Sequence, residues 1–162
     1  MRKAEVYFAG ISLPSGIAAY GVIVSVHERR DMARHLNLER REESGIASTC
    51  GISDGTALRK AFVRALCIAR ELGCIAVEAI AESVERLDSR NMLAEAKDVI
   101  EGFREVSISQ VPPAMGGGAA KLAAKAVVEY YEAMAQQKAQ SISVDEIQKM
   151  IRQAYGFSSA ED

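Results

Sequence analysis

Residues 5–26, EVYFAGISLPSGIAAYGVIVSV, contain no Asp or Glu after Glu5, and β-branched and aromatic residues dominate the stretch. Two such runs on either side of Leu13-Pro14-Ser15-Gly16 predict a hairpin: a strand over Glu5–Ile11, a Pro/Gly turn, and a strand over Ala18–Val26. A pair this apolar belongs at the centre of a sheet. The acid-free interval from Val6 to His27 also limits the chemistry that the sheet can host.

The next segments alternate in period. Glu28-Arg29-Arg30-Asp31 reads as a charged turn, and Met32–Glu39 as a third strand whose polar load suits a sheet edge. Arg40-Arg41-Glu42-Glu43 and Ser44–Gly55 read as a solvated loop. Ser53 or Asp54 then caps a helix over Thr56–Leu72, stopped by Gly73. Leu58, Ala61, Phe62, Ala65, Leu66, Ala69 and Leu72 form its apolar stripe. Cys74–Ala81 is a short buried strand, which makes the crossover right-handed. A single helix over Asp88–Phe103 and a strand over Arg104–Val111 follow, the strand stopped by Pro112-Pro113. Gly116-Gly117-Gly118 opens an Ala-rich helix over Ala119–Gln137. A final helix starts at a capping box made by Ser143 and Glu146, stapled by Ile142 and Ile147, and it ends at Gly156.

With 162 residues the chain reads as one domain over 1–140 and a helical extension over 141–162. A net charge of −2 gives no global attraction to nucleic acid or acidic membranes. The absence of a long apolar run or signal-like start predicts a soluble, cytoplasmic protein with no membrane partner. Cys50, Cys67 and Cys74 form no C-x-x-C pair and read as buried thiols. His27 and His35 lack further ligands at metal-binding spacing, so no metal and no cofactor is expected.

This order, three strands, helix, strand, helix, strand, helix, resembles the ribonuclease H fold. Tyr20-Gly21-Val22-Ile23 resembles that family's second strand and Ser53-Asp54-Gly55-Thr56-Ala57-Leu58 the entry to its first helix. Ala81-Glu82-Ser83 resembles the end of its fourth strand, and Gly118-Ala119-Ala120-Lys121-Leu122-Ala123 the start of its last helix. The resemblance covers residues 4–135. It implies an α/β, three-layer fold: a five-stranded mixed sheet with helices on both faces, here with an extra C-terminal helix.

It also implies four carboxylates around two divalent ions that cleave a phosphodiester. The matching positions are Ala9, Leu58, Glu82 and Ala120, so one carboxylate stands where four belong. Hard cations need several oxygen ligands, and sliding any element by a turn supplies none. The two-metal reaction is therefore read as lost, no catalytic residue is assigned, and Glu82 reads as a strand-end carboxylate that caps the turn after it. Two roles stay open. The first is nucleic-acid binding without cleavage of RNA or DNA. Arg59, Lys60 and Lys121 would form a basic mouth, and Gly116, Gly117 and Gly118 would present backbone N–H groups to phosphate. The alternative is a homo- or hetero-oligomeric interaction scaffold that uses the Ala-rich helix and the C-terminal helix.

Overall fold

The computed structural model describes residues 2–30, 34–137 and 144–156. Its sheet runs β3-β2-β1-β4-β5, where β1 is Arg2–Ser12, β2 Ala18–Arg30, β3 Arg34–Ser48, β4 Ala76–Glu82 and β5 Glu105–Val111. The first three strands are antiparallel, and β1-β4 and β4-β5 are parallel, so the sheet is mixed as expected. Alternation along β1 divides its side chains between two cores. Ala4, Val6 and Phe8 pack under α1 (Asp54–Glu71), and Phe8 meets Phe62 at 5.3 Å between ring centroids. Ala9 and Ile11 point to the opposite face, into a core shared with α4 (Ala119–Gln137) and α5 (Val144–Tyr155).

α1 begins where the sequence places it. Ser53 accepts a hydrogen bond from the Thr56 amide at 3.1 Å, and Gly73 ends the helix at φ +77°. α4 approaches β2 so closely that a Cβ on Gly21 would strike the Ala119 carbonyl and the Ala123 amide. Alanines make that approach possible: Ala119, Ala120, Ala123 and Ala124 are all fully buried, whereas Ala133 is exposed.

Several expectations need correction. β3 does not end at Glu39 but continues to Ser48 through the supposed loop. The charged run pairs by its backbone with β2, Glu42 opposite Ile23 and Arg41 opposite Val24. Its side chains tie the edge to α1, with Arg64 Nη2 2.8 Å from Glu43 Oε1 and Arg41 Nη1 3.1 Å from Glu71. The helix expected over 88–103 is two, α2 (Ser89–Glu95) and α3 (Lys97–Ile100), broken at Ala96. Past that break, the Arg70 guanidinium takes the Val99 carbonyl and lies 5.7 Å from the Phe103 ring centroid, in space that the missing Cβ of Gly102 leaves open. Of the three thiols, only Cys74 is buried; Cys50 is exposed and Cys67 intermediate. The turn through Asp31 and the Ser143 cap lie outside the described residues.

α5 docks on the body of the domain. Ile147, Ile151 and Tyr155 are buried in the α4-side core with Leu13 and Ile17 of the β1-β2 turn. An isolated helix of this length is marginal in water, so this burial is what holds it.

Candidate functional site

The positions that the resemblance marks for chemistry meet at one end of the sheet. Parallel register sets Phe8 beside Ala81, and the next residues along are Ala9 and Glu82. From β5 the chain passes Pro112, a 3-10 turn (Pro113–Met115) and the glycine run, and delivers the start of α4 to the same corner. Leu58 lies across the sheet, in the α1-side core, with its backbone against Gly10.

Glu82 is 1% exposed, the one buried charged side chain among the described residues. Its Oε2 accepts from the Ala119 amide at 2.7 Å, and its Oε1 lies 3.4 Å from the Gly118 amide. An anion at a helix N-terminus satisfies otherwise unpaired N–H groups and the positive dipole end. Burial pushes the Glu82 carboxyl above the usual range, and the amide bonds from Ala119, Ala120 and Gly118 partly offset that rise. The glycines make the contact possible: a Cβ on Gly116 would strike the Glu82 carboxylate, and one on Gly117 the Tyr7 ring. Gly118 turns into the helix at φ +106°, a conformation that side chains disfavour. Of the glycine run only the Gly118 amide faces this carboxylate, whereas the Gly116 amide turns back to the Pro113 carbonyl; the anion at the start of α4 is the chain's own. Glu82 caps a helix that starts 37 residues later rather than the turn beside it.

The corner is covered as well as occupied. Ala9 and Ala120 have no exposed surface, and they share a core with Ile147, Ile151 and Tyr155. Glu146, Met150 and Gln153 of α5 border Tyr131 of α4, and the Tyr155 hydroxyl lies within the field of the Asp54 and Glu82 carboxylates. Burial, with the charges of those two carboxylates, holds the Tyr155 hydroxyl well above the usual phenol range. Asp54 is itself engaged, accepting from the Ser12 amide at 2.6 Å.

This donor set does not fit a divalent pair. It offers one carboxylate, already bonded to α4, flanked by two methyl groups. Among the described residues no three His, Cys, Asp or Glu side chains group as metal ligands.

The cations marked by sequence are divided between the two faces. Arg59 and Lys60 lie on α1, on one side of the sheet, and Lys121 is exposed on α4, on the other. Arg59 pairs with Glu95 at 2.6 Å, and Lys60 donates to the Ala47 carbonyl at 3.2 Å. Both line a groove of about 470 Å³ floored by Val63, Cys67 and Met92. A smaller cleft of about 180 Å³ mixes Arg59 and Arg86 with Asp54, Glu85 and Asp88. Lys121 and the glycines border neither. Sequence reading missed Tyr155, whose role depends on how α5 docks. It also missed the Arg64–Glu43 pair, where Arg64 holds the Glu43 carboxyl below the usual range.

No protein-family model matches the sequence, and a search of curated proteins finds no relative. Solved structures do resemble the fold. Ribonuclease H1 from the halophilic archaeon Halobacterium salinarum is 21% identical, with a TM-score of 0.56 over 78% of this chain and 98% of that one. The N-terminal ribonuclease H domain of a Mycobacterium tuberculosis protein is also 21% identical, with a TM-score of 0.56 over 85% and 99%. LC11 ribonuclease H1, solved in complex with an RNA/DNA hybrid, is 17% identical, with a TM-score of 0.58 over 78% and 98%.

Proposed function

We propose that this chain, whose fold is ribonuclease H-like, is a non-catalytic domain that acts by binding. One observation carries the reading: Glu82 is committed to the α4 amides beneath a buried corner, beside the two methyl groups of Ala9 and Ala120. Two-metal phosphodiester cleavage needs several carboxylates around an accessible centre. Here the corner is apolar packing.

A protein partner fits the surface better than a phosphate backbone does. Arg59 is drawn to Glu95 and Arg64 to Glu43, so these two α1 cations are partly neutralised from within, and Lys60 is held by a carbonyl. Nucleic-acid binding is the second reading. It is supported by Arg59 and Lys60 standing together on the outer side of α1, in a fold with one relative solved on an RNA/DNA hybrid.

Fluorescence anisotropy of a labelled RNA–DNA hybrid separates the two readings. Phosphate contacts would give affinity that falls with salt, with a slope flattened by Arg59→Ala, Lys60→Ala and Lys121→Ala. The protein-partner reading predicts weak binding that these substitutions leave unchanged. On either reading, the hybrid stays intact with Mg²⁺ or Mn²⁺.

A further inference from the structure

The sheet has two edges, built differently. β3 carries Arg40, Arg41, Glu42 and Glu43, and its register with β2 shifts at Ala18/Ala19 and Val26/His27. Charge and irregularity are how an edge strand resists pairing with another chain. β5 reads EVSISQV: one charge, no Lys, no Pro, and unbroken parallel register with β4 from end to end. Among the described residues no strand pairs with its outer edge. A regular, β-prone strand left this way is a template for strand addition.

The hydrogen-bonding direction of β5 can be worked out. The Ser83 amide donates to the Val111 carbonyl at 3.1 Å, so the peptide groups of Val111 face β4. In a parallel ladder the facing side alternates with each residue. Glu105, Ser107, Ser109 and Val111 therefore bond inward, and Val106, Ile108 and Gln110 present their N–H and C=O groups outward.

We infer that β5 is the contact for a second copy of this chain, paired antiparallel about a two-fold axis at Ile108. In that register Ile108 faces Ile108 of the partner and Val106 faces the partner's Gln110. All three outward-bonding residues then donate and accept in closely spaced pairs. The same register sets Ser107 against the partner's Ser109, a hydroxyl pair that hydrogen-bonds across strands. The one charge, Glu105, meets the partner's Val111 rather than another carboxylate, so the edge is complementary to itself in charge as well as in hydrogen bonding. The inference supplies a partner for the binding role proposed above, but it rests on different atoms. A dimer through β5 leaves the Glu82 corner untouched, so hybrid assays and mass measurements fail independently.

Sedimentation equilibrium of the full chain, up to about 1 mM, tests it. A seven-residue edge buries little area, so a weak dimer is expected, with the mean mass rising toward twice the monomer mass as concentration increases. Ser107 and Ser109 are exposed, and replacing them spares the core; a circular dichroism melt confirms that each variant is folded. S107K/S109K sets like charges opposite each other and should weaken the dimer about tenfold. S107K/S109E sets opposite charges across the same axis and should restore wild-type association to within about twofold. A monomer mass at every concentration overturns the inference. So does a dimer that ignores both variants, which would place the contact elsewhere.

Discussion

Replacing Glu82 with alanine asks whether this carboxylate is structural. The side chain is 1% exposed and accepts from the Ala119 amide at 2.7 Å, with the Gly118 amide 3.4 Å away. Glu82→Ala removes the cap of α4, worth about 1 kcal/mol. It also leaves buried amides without an acceptor, at about 1–3 kcal/mol. Loss of a charge that burial disfavours offsets part of this, for a net cost of about 2 kcal/mol. For a chain of this length each kcal/mol lowers Tm by roughly 2–4 °C, so a drop of about 4–8 °C is expected. Glu82→Gln keeps one acceptor oxygen and should cost roughly half as much. Thermal and urea denaturation followed by far-UV circular dichroism read both variants. Unchanged stability in Glu82→Ala would refute the capping argument, because a carboxylate poised for catalysis is generally not one that the fold depends on.

Ala9→Asp with Ala120→Asp places carboxylates where both residues have no exposed surface. The pair should cost several kcal/mol and bring no hydrolysis, as a melt and a hybrid-cleavage gel will show. Ile147→Asp buries a charge at a 1% exposed position and should cost about 3 kcal/mol or more; deleting residues after Gln140 should lower Tm as well. The Arg64 bond lowers the folded-state value of the Glu43 carboxyl. The stability it contributes is present above the unfolded carboxylate value of about 4.3 and is lost as pH falls through the lower folded value. Because Arg64 is 42% exposed, that contribution is below about 1 kcal/mol. Glu43→Gln should remove that part of the acid-side loss in a series of urea melts.

The hairpin, the α1 cap, the β5 stop and the Ala-rich helix were legible in the sequence because each is set locally, by alternation, a turn or a cap. The full length of β3 is hidden in the sequence because an edge strand tolerates charge, and Arg40–Glu43 looks like a loop until Arg64 and Glu71 arrive from α1. The Arg70 bond to the Val99 carbonyl is invisible in the sequence for the same kind of reason, since it comes from another helix. At the candidate site, the missing carboxylates could be counted from residue types alone. What fills their place could not. Glu82 reaches α4 only through the β5 crossover, and Tyr155 covers the corner only once α5 has docked.

The alanines at the corner are themselves the most direct probes of its state. Methyl-labelled Ala9, Ala119 and Ala120 sit beside Glu82, where a bound Mn²⁺ would broaden their NMR signals strongly. Mn²⁺ titrated to millimolar excess is expected to leave these three methyl signals as sharp as those of the buried alanines far from the corner, such as Ala65 and Ala69. Selective broadening of Ala9 and Ala120, abolished by Glu82→Ala, would show a metal centre in the corner and overturn the assignment of Glu82 as a structural cap.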